Sequence, residues 1–405
     1  MNAIAGDRTV DRWLAALLLL GAWACYLPLG TKYITIVPAA LCAALVLWRH
    51  RHVQRLQAAP GLWASVALLG ALALSAAWSP APWPLIGSHL GQYGLLLLVP
   101  LIGTACPPAV ARRALRHFML ASAIVGLLFV LAAADLLPAA PLWRTTIDAE
   151  GNQRIATSIL LALAATLALQ TGLQAAAAPR AFWLLAAVSC AAGLALQDRR
   201  SGMLLLPLLL VAWTLVRQPG AWRRLGLLVA IVLAALAASQ FADGVRGRLA
   251  EGVAELRQYK ADDHVATSWG QRLRMWQLTG AMVQERPLAG HGVASWRGLW
   301  QERVTPGTAL AAHSTPHNEY LLLAQQAGGI GAALWLWLLA EGLRQAAIRG
   351  AAGLPSLLVW TTIAWTGLFN AVLRDTKFSL PLILLAALAL AASRPDDNRI
   401  GRQTP

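Results

Sequence analysis

Apolar runs recur along the whole chain, and runs of about 17 to 25 residues are what a helix needs to cross a hydrocarbon core. Candidates fall near 13–29, 34–48, 62–78, 89–105, 115–137, 156–177, 181–197, 203–216, 225–240, 318–343, 352–373 and 378–393, twelve spans in all. The expected fold class is therefore all-α integral membrane, with about twelve transmembrane helices. The chain is 58% hydrophobic and only 13% charged, with mean hydropathy +0.57, more apolar surface than a core in water can hide. A net charge of +15 would point to nucleic acid in a soluble domain. In a membrane protein it points to anionic head groups, so membrane lipids and no nucleic acid are the expected partners.

An even number of spans puts both termini on one side. Arg49, Arg51, Arg55, Arg112, Arg113, Arg116, Arg180, Arg217, Arg223, Arg224, Arg344 and Arg349 all fall on loops of that side, which the positive-inside rule makes cytoplasmic. The first apolar run ends in Tyr26-Leu27-Pro28-Leu29-Gly30 without a small-residue cleavage site, so it is expected to stay as a span. Three regions follow: 1–240 with spans one to nine, a long polar outer loop over 241–316, and 317–405 with spans ten to twelve and a cytoplasmic tail. In the loop, Val245, Leu249, Val253, Leu256 and Tyr259, and then Met275, Leu278 and Met282, recur at helical spacing. They predict two amphipathic helices that pack over the bundle or lie in the head-group layer. Cys25, Cys42, Cys106 and Cys190 lie in or beside apolar stretches and suggest neither a disulfide nor a metal site.

The outer side keeps Lys32, Arg144, Arg154, Arg199, Arg200, Arg374 and Lys377 against the positive-inside trend. Arg199 and Arg200 occupy a very short turn between two apolar spans, and arginine at membrane depth is costly unless it serves a pathway or an anion. Its planar donor fork matches phosphate oxygens, and Arg154 and Arg272 could converge on the same anion. An internal salt bridge or a lipid contact explains any single one of them equally well.

His313-Ser314-Thr315-Pro316-His317-Asn318 stands where the loop re-enters the membrane. Thr315 and Pro316 read as an N-cap and first-turn pair, which would put His317 in the opening turn of the tenth span. The positive helix end there disfavours a second proton on the imidazole and leaves it able to accept one. A lone interfacial histidine is more often a hydrogen-bonded structural residue. The pair His313 and His317 also reads as half of a metal site, with His264 beside Asp262 and Asp263, or His291, as uncompelled further ligands. Several arginines with a neutral histidine suit transfer of a glycosyl group from a pyrophosphate: the cations stabilise the leaving group and the histidine takes a proton from an acceptor hydroxyl. No Asp-x-Asp element occurs, which fits a lipid-linked donor better than a nucleotide sugar.

These residues resemble the O-antigen ligase and polymerase superfamily. Its ligase signature, His-[Asn/Ser/Gln] followed after nine residues by Gly-x-x-[Gly/Thr/Tyr], is met by His317, Asn318 and Gly328 to Gly331. Arg200 and Leu204 match its Arg-x-x-x-Leu element. Arg272 and Trp276, then Pro287 with Gly290 and Gly292, match the Arg-x-x-x-Trp and Pro-x-x-Gly-x-Gly run. The resemblance covers mainly 195–335 and implies a GT-C-like membrane fold with one large periplasmic loop. It further implies an inverting, metal-independent transfer with no cofactor, in the bacterial inner membrane with its active site facing the periplasm. The donor would be O-antigen on undecaprenyl pyrophosphate and the acceptor a lipid A-core oligosaccharide. His317 is then the candidate base, and Arg200 and Arg272 the pyrophosphate partners; His313 and Arg154 are added from position and charge. Arg199-Arg200-Ser201-Gly202 departs from the family's usual Ser-Arg-Gly, which leaves Arg199 and Arg200 both in play. An O-antigen polymerase, a protein O-oligosaccharyltransferase, a transporter of lipid-linked glycan and a lipid-binding scaffold are the alternatives. The ligase is favoured by the histidine signature and by the expectation of no soluble C-terminal domain.

Overall fold

The computed structural model describes residues 2–395 except 50–52, 139, 198–199, 218–219, 230, 232–253, 256, 258, 260 and 266. Among them every regular element is a helix. The helices are α1 (Asn2–Ala24), α2 (Leu29–Arg49), α3 (Val53–Gln57), α4 (Leu62–Ser75), α5 (Trp83–Gly94), α6 (Leu98–Ala105), α7 (Pro108–Ala133) and α8 (Pro141–Ile147). They continue with α9 (Gly151–Gln174), α10 (Ala177–Ala195), α11 (Arg200–Arg217), α12 (Ser268–Glu285), α13 (Trp296–Gln301), α14 (Glu319–Ile348), α15 (Gly350–Phe369) and α16 (Thr376–Ala392).

Seven of these segments are long and apolar enough to cross a membrane: α2, the joined α5–α6 unit, α7, α9, α10, α14 and α15. Three shorter apolar helices accompany them, over Leu62–Trp78, Ser201–Arg217 and Thr376–Ala392. The chain is a multi-pass helical membrane protein. The first expected span corresponds to α1, which ends ahead of Pro28, and the ninth, 225–240, lies mostly outside the described residues. Trp13, Trp48, Trp63 and Trp83 are exposed around the bundle, as side chains that meet lipid and its interface are.

The centre of the bundle is formed by α9 and α16, which are buried along almost their whole lengths. Small residues let the backbones meet, a device that matters where lipid outside is as apolar as the helices themselves. A Cβ on Gly193 of α10 would come 2.5 Å from Gly126 Cα of α7, and one on Gly202 of α11 would come 2.6 Å from the Ser158 carbonyl oxygen of α9. The second contact fixes the start of α11 against the first turns of α9.

Of the two expected amphipathic helices, the second is α12, which buries Met275 and Met282. They pack with Trp296, Trp300, Leu322 and Ala371 in a satellite core, so this helix lies over the bundle. Apart from Tyr259, the apolar stripe that defined the first is outside the described residues.

The Pro287-x-x-Gly-x-Gly and Gly328-x-x-Gly elements dock on each other. Inside α14 the helix breaks at Ala327 and Gly328, where Gly328 takes φ 65° and ψ −160°. Gly329 N donates to Pro287 O at 2.7 Å and not to its own preceding turn, while Gln325 O and Gln326 O accept from His291 N and Gly292 N, both at 2.8 Å. The approach is so close that a Cβ on Gly328 would stand 2.0 Å from Leu288 O. Ser75 and Ser79 hold the same segment from the other side, through Val293 N at 3.0 Å and Val293 O at 2.6 Å.

Candidate functional site

The helix cap differs from the sequence expectation. Asn318, not Thr315, is the N-cap of α14, its side chain accepting from Leu321 N at 3.0 Å. His317 therefore precedes the cap and lies outside the first turn, with φ 49°, a left-handed conformation uncommon for a residue other than glycine. Asn outranks Thr as a cap, and the Pro316 ring does not oblige the helix to start there. Trp276 Nε1 donates to Pro316 O at 3.1 Å and holds this turn from α12.

The two histidines are together. His317 Nε2 lies 3.3 Å from His313 Nδ1, and His313 Nε2 lies 3.3 Å from Gln271 Oε1. Gln271 donates its own Nε2 to Val265 O at 3.3 Å, which turns the amide oxygen toward His313. That oxygen accepts only, so a neutral His313 carries its proton on Nε2 and offers a lone pair at Nδ1. His317 must then donate from Nε2, and the lone pair of a neutral His317 is at Nδ1. Burial is the main cause holding both imidazoles neutral, with the Arg272 charge second. The His317 pKa is lowered to about 3 by burial, Arg272 and His313, in that order.

His313 and His317 open on a pocket of about 240 Å³ that also exposes Gln92, Asn152, Arg374 and Asp375. Arg374 was counted among the outward basic residues but not among the site residues, and Gln92 and Asn152 gave no sequence signal. Arg374 Nε donates to His89 Nε2 at 2.9 Å and Nη1 donates to Gln92 Oε1, leaving Nη2 without a protein acceptor among the described residues. Glu319, wholly buried beside the cap, accepts from Leu373 N at 2.8 Å and pins the backbone that carries Arg374. Asp375 caps α16 by accepting from Lys377 N at 2.9 Å and accepts from Asn152 Nδ2 at 2.6 Å, which joins the start of α9 to the pocket.

The expected arginines are placed unevenly. Arg272 is close enough to act electrostatically on both histidines, and its guanidinium sits 5.9 Å from the centroid of the Trp269 ring. Arg154 stands on α9 two residues beyond Asn152 and is not in the pocket wall; its Nε is buried without a hydrogen-bond partner among the described residues. Arg199 lies outside the described residues, and Arg200 begins α11 with its side chain outside them. Aromatic contacts nonetheless tie that end of α11 to the site. Trp365 Nε1 donates to Ser201 O at 3.1 Å, Trp365 meets Phe369, and Phe369 meets both Trp269 and Trp276.

His291 is not a third ligand for the histidine pair: its Nε2 bonds Met282 O at 2.8 Å, with Glu285 at 3.6 Å. No group of three or more His, Cys, Asp or Glu side chains arranged to hold a metal occurs among the described residues.

No curated protein matches the chain. A family model described as O-antigen ligase matches residues 185–336, a stretch that holds Arg200, Arg272, both histidines and the Gly328 kink but not Arg154 or Arg374. That match supports an O-antigen ligase/polymerase family assignment and rests on this stretch of the chain alone.

Proposed function

We propose that this protein is an O-antigen ligase, transferring glycan from undecaprenyl pyrophosphate to a hydroxyl of the lipid A-core oligosaccharide in lipopolysaccharide biosynthesis. The reaction is inverting and metal-independent. It runs at the periplasmic face of the inner membrane, in a protein of about twelve spans with cytoplasmic termini and its long periplasmic loop over 241–316. The observation that carries this reading is a neutral, half-buried histidine pair with cations on two sides: Arg272 on α12 and Arg374 between α15 and α16.

The acceptor hydroxyl gives its proton to His317 Nδ1 while its oxygen bonds to the anomeric carbon. The bond from that carbon to the phosphate oxygen breaks, and its electron pair leaves with undecaprenyl diphosphate. Arg272 and Arg374, with Arg200, Arg199 and Arg154, take up the charge of the diphosphate. The protonated His317 is stabilised through Nε2 by the His313 lone pair, which Gln271 orients. Burial and then the Arg272 charge hold the His317 pKa down at about 3. A bound diphosphate offsets the nearby Arg272 charge and raises the basicity of His317 when it is needed.

The test is transfer by purified protein from undecaprenyl pyrophosphate-linked glycan to lipid A-core, with chelator present, for wild type, His317→Ala and His313→Ala. Loss of transfer in His317→Ala with a retained melting temperature supports the reading. Equal transfer by wild type and His317→Ala overturns the base assignment. Growth of the glycan on its carrier in place of transfer to lipid A-core would make the protein a polymerase.

A further inference from the structure

Arg374 stands in the turn between α15 and α16, with no helix of its own to fix its side chain. Its side-chain acceptors come from one face of α5. His89 and Gln92 are three residues apart and so neighbours on the helix surface. His89 Nε2 accepts from Arg374 Nε at 2.9 Å, and Gln92 Oε1 accepts from Nη1. The rotation of α5 is set by its buried stripe, Ile86, His89 and Tyr93, and by Tyr93 OH, which accepts from Gln326 Nε2 of α14 at 3.2 Å. Glu319 and Asp375 act on Arg374 electrostatically. Their printed bonds go elsewhere: Glu319 accepts from Leu373 N, and Asp375 from Lys377 N and Asn152 Nδ2.

A guanidinium only donates, so His89 must accept at Nε2 and carry its single proton on Nδ1. That Nδ1 is buried and has no hydrogen-bond partner among the described residues. An unmet buried donor costs stability, and an apolar ring of similar size would avoid the cost. An apolar ring would not supply the acceptor for Arg374 Nε. A protonated imidazole would not supply it either, and would set a second cation against the guanidinium. His89 does not line the histidine pocket, whereas Gln92 and Arg374 do, so its effect on the pocket is exerted through Arg374. With Nε and Nη1 both bonded, the plane of the guanidinium is fixed and Nη2 is left as the free donor.

We propose that His89 is a positioning residue for diphosphate binding: as a neutral acceptor it holds Arg374 in the pose that offers Nη2 to a phosphate oxygen. The inference rests on the diphosphate role of Arg374 proposed above. A loose arginine gives up side-chain freedom each time it binds, and one already held gives up little, so the fixed pose adds affinity.

The experiment is binding of undecaprenyl pyrophosphate to the detergent-purified full chain, by thermophoresis, with melting temperatures alongside. His89→Phe, which keeps a ring and removes the acceptor, should weaken binding about fivefold with the melting temperature retained or raised. His89→Gln, whose amide oxygen can take the place of Nε2, should restore the affinity. Arg374→Gln should weaken binding about tenfold or more, and His89→Phe/Arg374→Gln no further, because a residue that acts through Arg374 then has nothing to act on. Ser88→Ala, exposed on another face of α5, should bind like wild type. If His89→Phe does not fold, His89→Leu carries the same test. Three results overturn the positioning role: unchanged affinity in His89→Phe beside a weakened Arg374→Gln, a His89→Gln as weak as His89→Phe, or a His89→Phe loss that adds in full to that of Arg374→Gln. Unchanged affinity in Arg374→Gln overturns the diphosphate role of Arg374 and the inference with it, and no binding by wild type overturns the lipid-linked donor and both.

Discussion

Replacing Gly328 with alanine should damage the protein out of proportion to one methyl group. The backbone at φ 65° and ψ −160° is territory that only glycine occupies without strain, at about 1–3 kcal/mol for another residue. The new Cβ would also stand 2.0 Å from Leu288 O, a backbone atom that no rotamer change can move aside. Relieving that clash means lifting the 287–292 segment off α14, which gives up the bonds at Gly329 N, His291 N and Gly292 N. At about 0.5–1.5 kcal/mol for each of the three bonds, with the strain added, the total loss is roughly 2.5–7.5 kcal/mol. Gly329→Ala is the control, because its Cβ would lie 3.4 Å from Pro287 O, ordinary contact, and alanine is the better helix former. Thermal unfolding of the detergent-purified proteins, with size exclusion to measure the folded fraction, reads the difference. If Gly328→Ala melts together with Gly329→Ala, the docking of the two glycine elements does not hold this part of the fold.

Two further outcomes concern the site. Because burial and then Arg272 lower the His317 pKa to about 3, the protein keeps His317 deprotonated far below the ordinary histidine range. The acidic limb of kcat/KM should therefore be absent near pH 6.5, and Arg272→Gln, by removing a like charge, should move that limb upward; a wild-type limb at pH 6.5 would refute it. Arg374→Gln removes a charged donor facing the same pocket and should raise KM for the lipid-linked donor by about tenfold or more, with the melting temperature retained. An unchanged KM would take Arg374 out of the diphosphate set.

The sequence made the helical membrane class plain because apolar runs of spanning length leave no other solvent for the chain. It also pointed to His317 and Arg272 through local patterns, and to His313 through position and charge. It misplaced the cap: Thr315-Pro316 and Asn318 both look like helix starts, and only packing by Trp276 and the backbone turn at His317 select the second. Arg374, Gln92 and Asn152 come from three separate helix ends, α5, α9 and the turn before α16, and their meeting depends on the tertiary contact of Asp375 with Asn152. No periodicity carries that information.

The spacing between His317-Asn318 and Gly328 has a physical meaning in this fold. Asn318 starts α14, and the break at Ala327 and Gly328 ends its first straight stretch. One device sets where the helix begins and so where the His317 ring projects; the other clamps the far end of that stretch to 287–292 through three backbone bonds. Between them, Glu319 fixes the Arg374 backbone, while Gln326 Nε2 donates to Tyr93 OH at 3.2 Å and ties the stretch to α5, whose Gln92 holds Arg374. A shift of one residue in this spacing would turn every one of these side chains by about 100° around the helix axis. The separation of His317 from Arg374 is thus kept by backbone geometry at two ends of one short helix, and Gly328 matters to the pocket as much as the histidine that lines it.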